Sequence, residues 1–224
     1  PLGKITFMHS STEEDYLKTI YKLSKNSGPV STNEIAKQIN TKASSVTDMI
    51  QKLSEKGLVI YLKYKGASLS SEGKNIALKV IRKHRLWESF LVDKLHFNWD
   101  EIHDIAEQLE HIDSSKLVDK LDEHLGFPKF DPHGDPIPDK NGNFQENNQL
   151  VLSKLEEQES AVLVGVKEHS SEFLKYLENI PLLLGTTVKV LEKFNFDSSM
   201  KILVNNKIEL MISSSVSNHL NVTK

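Results

Sequence analysis

Four residues near the middle of the chain have side chains that can bind a metal: His103, Glu107, Glu110 and His111. On a helix, spacings of three and four residues place side chains on one face, about 5–6 Å apart at Cβ. Two carboxylates and two imidazoles at that separation suit a divalent transition metal. A solvated helix face would give the same pattern without a metal. The choice between these two interpretations depends on the elements around this segment.

The composition limits the kinds of site that the chain can build. Its 224 residues exceed the usual size of one domain and predict two or three small ones. Cysteine is absent, so a metal site must use oxygen and nitrogen donors, and a cytoplasmic location is expected. No apolar run approaches the roughly 20 residues needed to span a bilayer, and we expect no membrane association.

Charge is distributed unevenly along the chain. Up to Arg85 there are 15 Lys and Arg against 7 Asp and Glu, a balance of +8, and the remainder has 13 against 24, a balance of −11. A basic N-terminal third predicts contact with a polyanion such as DNA. Uneven surface charge with no partner is the alternative.

The basic third has the pattern of a winged helix-turn-helix. A first helix is predicted from about Thr12, and a capping box at Ser31-Thr32-Asn33-Glu34 opens a second. A third helix is predicted from about Ala43 to Glu55, with Gly57 as its stop. Two short helices joined by a tight turn make a helix-turn-helix.

The predicted contacts with DNA lie on the third helix and on a hairpin wing. The second helix of such a motif reads base edges, and lysines contact phosphates. The wing has predicted strands at 58–62 and 67–69 joined by a turn at Tyr64-Lys65-Gly66. The candidate DNA-binding residues are Ser44, Ser45, Thr47, Asp48, Gln51, Lys52, Lys63 and Lys65. A helical interaction module that never contacts nucleic acid is the alternative.

The middle of the chain is predicted to be helical. A long helix from Ser70 or Ser71 to about Leu95 carries His84 and Glu88 at i and i+4, a second chelating pair. It also carries more apolar surface than a few short helices need, which predicts a dimer seam, with ordinary core as the alternative. The residues of this seam are Trp87, Phe90, Leu91 and Leu95. A two-fold dimer would suit a palindromic DNA site.

Five motifs occur between residues 14 and 138. They are Glu14-Asp15-Tyr16-Leu17-Lys18-Thr19-Ile20-Tyr21, Ser44-Ser45-Val46-Thr47, Arg82-Lys83-His84-Arg85-Leu86, Glu107 with Glu110-His111, and Gly134-Asp135-Pro136-Ile137-Pro138. Because it has these five motifs in this order, the chain resembles the diphtheria toxin repressor family of metal-dependent transcriptional regulators, nearest its manganese-responsive branch.

The resemblance implies two metal sites. The implied primary site consists of Asp15, Glu107, Glu110 and His111, with His84 and His103 lining the same region. The implied second site consists of Glu88, Asp131, His133 and Glu168. A turn-rich linker is the alternative for the loop at Asp131 and His133, and an exposed strand end is the alternative for Glu168. Some manganese sensors of the family have a second carboxylate at the position of Lys18, so the resemblance does not extend to their binuclear design.

The C-terminal part changes to strand patterns after a polar linker at 141–148. Segments 160–166, 183–190, 200–204 and 207–212 are predicted strands, with a short helix at 172–178. Asn205-Asn206 between the last two is a hairpin signal. This part resembles the FeoA-type domain that ends long members of the family, a small SH3-like β-barrel.

The predicted fold is mainly α with small β parts. A winged-helix DNA-binding domain covers 1–76, a helical dimerisation and metal-binding domain covers 77–140, and a FeoA-type β-barrel covers 149–224. The predicted function is that of a homodimeric repressor, not an enzyme, which binds double-stranded DNA when manganese(II) is bound and controls genes for metal uptake. Iron(II) is the alternative metal. A helical metalloenzyme and a winged-helix regulator that ignores metal are the rival functions.

Overall fold

The computed structural model describes residues 9–24, 28–63, 65–145 and 148–224. Tyr64 of the predicted wing turn and residues 146–147 of the predicted linker lie outside this range. The described residues divide into two compact units. The first takes the described residues up to His84 together with Leu109–Asp113 and Pro138–Asn143. The second takes Arg85–Gln108, Ser114–Ile137 and the described residues from Phe144 onward.

The first unit contains the predicted winged helix. Its elements are α1 (Ser11–Ser24), α2 (Thr32–Gln38), α3 (Ala43–Glu55), β1 (Val59–Leu62) and β2 (Gly66–Leu69). The predicted capping box is present, because the Ser31 hydroxyl accepts from the Glu34 backbone and the Glu34 carboxylate accepts from the Ser31 backbone. The antiparallel hairpin pairs Val59 with Leu69 and Leu62 with Gly66.

One apolar core joins the three helices to the hairpin. Leu17 and Ile20 of α1, Ile35 of α2, and Val46 and Ile50 of α3 are completely buried in it. The spacings of three and four residues within these helices bring their apolar side chains to the same side. A displacement of α1 must therefore be accommodated by α3, because both contribute to this closely packed cluster.

Three helices follow the wing: α4 (Ser71–Leu95), α5 (His103–Leu109) and α6 (Ser115–His124). Helix α5 ends two residues before His111, so Glu110 and His111 lie in the turn after the helix rather than on the predicted helical face. The chain turns there because the Ile112 N–H bonds to the Leu109 carbonyl oxygen, and Ser114 then caps α6. Among the described residues, no helix is both long and apolar enough to cross a membrane.

The C-terminal part of the second unit is an antiparallel sheet with the strand order β3-β8-β4-β5-β6-β7. Its elements are β3 (Leu150–Val151), a 3-10 turn (Leu152–Lys154), β4 (Ser160–Val166), α7 (Ser171–Asn179), β5 (Thr187–Lys193), β6 (Met200–Val204), β7 (Ile208–Ile212), α8 (Ser214–Ser217) and β8 (Leu220–Thr223). In the part of the chain that the structure describes, β3 and β7 are the two edges of this sheet, so the sheet is open and the predicted barrel is not closed.

Two predictions from the sequence can be compared with the observed sheet. The predicted Asn205-Asn206 hairpin is confirmed, with φ of 49° and 56° at these residues, the left-handed conformation that asparagine tolerates. The strand predicted at 183–190 begins only at Thr187, because the Thr186 N–H bonds to the Leu183 carbonyl oxygen around Gly185, which has φ of 85°.

Candidate metal centres and DNA-binding face

The first unit gathers carboxylates and an imidazole from α1 and from the turn after α5. Asp15, Glu110 and His111 offer ligand atoms that all lie within 4.8 Å of one another. His111 Nε2 lies 3.2 Å from Asp15 Oδ1 and 3.8 Å from Glu110 Oε1. Two carboxylate oxygens and one imidazole nitrogen are donors that divalent transition metals accept. The donor set of this first cluster therefore fits a metal ion.

Glu110 is completely buried and both of its carboxylate oxygens have partners. His84 Nδ1 lies 2.6 Å from Glu110 Oε2, and Lys18 Nζ donates to Glu110 Oε1 at 2.5 Å. Lys18 itself is only 5% exposed, so its ammonium is a fixed positive charge inside the cluster. A buried carboxylate needs such compensation, since removing it from water is costly.

Glu14 orients the imidazole of the first cluster. Its Oε2 lies 2.7 Å from His111 Nδ1, while the other ring nitrogen of His111 is the one close to Asp15. A carboxylate that accepts from one imidazole nitrogen leaves the other nitrogen free to act as a ligand. Sequence reasoning did not give Glu14 this role, although it precedes Asp15 in the same motif.

The second unit contains a different cluster in which all three members are buried: Glu88, Asp131 and His133. Glu88 Oε1 lies 3.7 Å from His133 Nδ1 and 3.5 Å from His103 Nδ1. The other nitrogen of His133, Nε2, lies 2.8 Å from the Trp99 carbonyl oxygen and must carry the proton that this bond needs. In the neutral imidazole His133 Nδ1 is then the acceptor, and it has no hydrogen-bond partner among the described residues. A buried acceptor that faces a carboxylate has the chemistry of a cation site.

The charged form of Asp131 is disfavoured in this second cluster. Burial raises its pKa well above the usual value, the charges of Glu88 and Asp135 raise it further, and Arg85 opposes them. Its Oδ1 accepts the backbone N–H groups of His133 and Asp135, both at 2.9 Å, which fixes the loop around the carboxylate. A divalent cation bound here would relieve the crowding of negative charge.

The loop that supplies Asp131 and His133 rests on strand β4. The His133 carbonyl oxygen accepts the Val166 N–H at 2.8 Å. Gly134 has φ of 84°, and a Cβ there would lie 2.0 Å from the Val164 carbonyl oxygen, so only glycine fits. The ring of His169 stacks on His133 with 4.8 Å between centroids. The second cluster is thus supported by the C-terminal sheet.

Other predicted ligands have different surroundings. Glu168 Oε1 accepts the Ser170 N–H at 2.9 Å, and within the described residues Glu168 belongs to none of the convergent groups. His103 Nε2 lies 3.6 Å from Glu107 Oε1 on α5, in the second unit. Metal binding by the ten residues named from the sequence stays a prediction.

The candidate DNA-binding side chains are mostly accessible. Those on α3 that are exposed are Ser44, Ser45, Asp48, Gln51 and Lys52, and those beside the wing turn are Lys63 and Lys65. Thr47 is less available, because it is half-buried and its hydroxyl donates to the Ala43 carbonyl oxygen at 2.9 Å. Lys52 Nζ lies 3.0 Å from Glu13 Oε1, a pairing that the sequence pattern did not indicate.

A winged helix that shares a compact unit with a carboxylate and imidazole cluster defines the class of metal-dependent DNA-binding regulators. Comparison with protein families agrees. Residues 8–67 match the iron dependent repressor N-terminal DNA binding domain, 70–139 match the iron dependent repressor metal binding and dimerisation domain, and 150–224 match the FeoA domain. The chain belongs to this iron-dependent repressor family, which includes the diphtheria toxin repressor. Its members are transcriptional repressors and not enzymes.

Individual relatives include both manganese and iron regulators. A solved "manganese-dependent transcriptional repressor complex with manganese" is 32% identical, covers 95% of this chain and 99% of its own, and has a TM-score of 0.85. The transcriptional regulator MntR of Oceanobacillus iheyensis is 34% identical over 55% of this chain and 84% of its own length. The iron-dependent repressor IdeR of Mycobacterium tuberculosis is 32% identical over 57% of this chain, and the chain spans only 55% of the length of that relative.

Proposed function

We propose that this chain is a manganese(II)-activated transcriptional repressor that binds a palindromic operator as a homodimer in the cytoplasm and controls genes for metal uptake. One observation carries the proposal. Asp15 Oδ1, on α1, lies 3.2 Å from His111 Nε2 in the compact unit that also contains α3. A ligand that joins these two residues would act on the same unit that meets DNA.

The residues of the first cluster explain how metal binding would favour the DNA-binding geometry. Asp15 and Glu110 bring two negative charges to His111, and their mutual repulsion opposes the arrangement. A bound manganese ion would supply the divalent charge that offsets this repulsion. Glu110 is already held by His84 and by Lys18 of α1, so a metal bound by Asp15, Glu110 and His111 would add a second restraint on the same helix.

Helix α1 transmits this restraint because its apolar side packs in one core with α3. Metal binding would raise the population of the orientation of α3 that fits the major groove, and DNA binding would in turn raise metal affinity. The exposed polar side chains at the start of α3 would read bases, and Lys63 and Lys65 would contact phosphates.

Manganese is favoured over softer metals by the donors. The first cluster offers two carboxylates and an imidazole, and oxygen-rich sites suit manganese. The manganese dependence of the solved relative supports the same choice, and the iron dependence of IdeR makes iron(II) the second candidate.

Exposed apolar side chains in the second unit support dimerisation. Leu95 is 52% exposed and Leu117 is 40% exposed, on α4 and α6 respectively. Trp87 and Phe90 of α4 are only partly buried in the chain's own packing. The match of 70–139 to a metal binding and dimerisation domain supports the use of this surface between two copies. Light scattering at micromolar concentration should give twice the mass of one chain.

The test is a DNA-binding titration with defined metals. A duplex selected from a random library by the wild-type protein with manganese(II) serves as the probe, and anisotropy is measured with manganese, anaerobic iron(II), zinc or EDTA. We expect manganese to tighten binding at least tenfold over EDTA, within the usual range of coupling between two sites. Asp15→Asn should abolish that gain, whereas Asp119→Asn, an exposed carboxylate of α6, should keep it.

Three results would change the proposal. DNA binding that is equal with manganese and EDTA would refute the activation by metal. A larger gain with iron(II) than with manganese would make the chain an iron sensor. An unchanged gain in Asp15→Asn would remove Asp15 from the ligands.

A further inference from the structure

Glu13 is a carboxylate that the proposed metal and DNA contacts do not use, although it is only 1% exposed. It lies in the first turn of α1, next to Glu14 and Asp15. A carboxylate buried to this extent requires partners, because burying an unpaired charge is costly.

Glu13 accepts the Ser10 N–H at 3.4 Å from the start of its own helix, and its two charged lysine partners come from the C-terminal end of α3. Lys56 Nζ donates to Glu13 Oε1 at 2.7 Å and to Oε2 at 2.9 Å. Lys52 Nζ lies 3.0 Å from Oε1, and His9 Nδ1 lies 3.8 Å from Oε2. Lys52 is in the last turn of α3, and Lys56 is the residue at its C-terminal cap. Both oxygens of Glu13 are therefore attached to the helix that carries the candidate base-reading residues.

The next two residues of α1, Glu14 and Asp15, contact the first cluster. Glu14 Oε2 lies 2.7 Å from His111 Nδ1, and Asp15 Oδ1 lies 3.2 Å from His111 Nε2. Three consecutive acidic residues thus divide their contacts, one toward α3 and two toward the imidazole of the metal cluster. The two sets of contacts share one turn of backbone, so a movement of that turn acts on both.

We propose that Glu13 is a positioning residue that transmits metal binding at Asp15 and His111 to α3 by holding Lys52 and Lys56. This proposal rests on the proposed metal-activated function and names the connection through which it would operate. With manganese bound, the first turn of α1 is fixed and α3 is held through two charge-assisted contacts. Without these contacts the apolar core would still connect the helices, but metal binding and DNA binding would be less strongly coupled.

The experiment compares the manganese response of Glu13→Gln with that of the wild-type chain. The probes are manganese(II) itself, by calorimetric titration, and the duplex selected by the wild-type protein. We expect manganese affinity to change less than twofold, because Glu13 is not a member of the ligand cluster. The ratio of DNA affinities with manganese and with EDTA should fall by about tenfold, within the range of measured allosteric couplings. Lys56→Gln should reproduce the loss, and Glu13→Gln/Lys56→Gln should add little to it.

A measurement without DNA separates this proposal from the proposed function. Hydrogen exchange of the α3 amides should slow when manganese is added to the wild-type chain, and it should slow much less in Glu13→Gln. Lys65→Gln is the matched control, because Lys65 is an exposed lysine by the wing turn. It should lower DNA affinity equally with manganese and with EDTA.

Each contrary outcome has a distinct meaning. A wild-type chain whose DNA affinity ignores manganese refutes the proposed function. A wild-type response that persists in full in Glu13→Gln refutes the role of Glu13 alone. An equal rise of DNA affinity with and without manganese in Glu13→Gln would mean that Glu13 only neutralises two lysines, which also overturns the proposal. If Glu13→Gln does not fold, the charge exchange Glu13→Lys/Lys56→Glu must restore the manganese response, and its failure to do so counts against the pairing.

Discussion

Replacing the buried lysine of the first cluster should destabilise the metal-free protein far more than the manganese-bound one. Lys18 is 5% exposed and its ammonium contacts Glu110, which is fully buried. Lys18→Met keeps the length of the side chain but removes its charge. Glu110 would lose its lysine partner and keep only imidazole neighbours, His84 and His111, among the contacts described above, and removing one partner of a buried ion pair costs about 3–5 kcal/mol.

The corresponding change in unfolding temperature can be measured by calorimetry. For a chain of this length each kcal/mol shifts the midpoint by roughly 2–4 °C, so the metal-free variant should melt roughly 6–20 °C lower. With saturating manganese the divalent ion supplies the positive charge that the variant has lost. The difference in unfolding temperature between Lys18→Met and the wild-type chain should then be a small fraction of its metal-free value. Manganese affinity should rise for the same reason, because no ammonium competes for Glu110.

The matched control is Lys120→Met. Lys120 and Glu123 also form a close pair, at 2.6 Å, but both are exposed. Such pairs contribute about 0–1 kcal/mol, so the midpoint should barely move. A deficit in Lys18→Met that is the same with and without manganese would refute the reasoning, since the ammonium would then have no connection with the metal. A deficit no larger than that of the control would refute the buried pair.

Three further predictions address other parts of the chain. Gly134→Ala should lower the unfolding temperature of the second unit in calorimetry by several degrees, because its Cβ would lie 2.0 Å from a carbonyl oxygen, and an unchanged midpoint would contradict the close approach. Lys65→Ala should weaken DNA binding equally for all sequences, whereas Ser44→Ala should change the preferred sequence in a repeated selection, and identical effects would contradict the proposed docking. Burial alone would raise the pKa of Glu13, but hydrogen bonds from Lys56 and Lys52 lower it from 4.5 to about 2. A lowered pKa stabilises the fold above about pH 4.5, and this contribution, at most about 3 kcal/mol, is lost as the pH falls toward 2. Acid titration of Glu13→Gln should therefore show a shallower loss of stability in that window, and a slope equal to wild type would exclude the pairing.

The local elements were accessible from the sequence because their signals are local. The capping box at Ser31, the apolar spacing of α3 and the paired asparagines at Asn205 each fix a short segment, and the structure agrees with them. Strands β3 and β8 were not predicted, because a two-residue strand has no period and β8 gains its order from pairing with β4, far away in the chain.

Glu110 and His111 were suggested as ligands by residue type and spacing, and Asp15 by the family resemblance, but none of these signals indicated the contacts that support them. Lys18 and Glu110 are 92 residues apart, and nothing in either local pattern indicates that they meet. The same holds for Glu13 and Lys56, which join the ends of two helices. The helical spacing of His103 to His111 also suggested one continuous face, whereas the chain leaves the helix at Leu109. Pairings that depend on tertiary packing cannot be obtained from the period of a single helix.

The support of the Asp131 and His133 loop by β4 has a consequence for the order in which the chain matures during synthesis. All residues of the first cluster have been made once His111 leaves the ribosome, and domains emerging first can fold first. The loop at His133 gains its hydrogen bond from Val166 and its ring contact from His169 more than 30 residues later. A nascent or prematurely ended chain would thus have the first cluster but lack Val166 and His169, which support the loop of the second. Newly made protein would assemble the first cluster before the second.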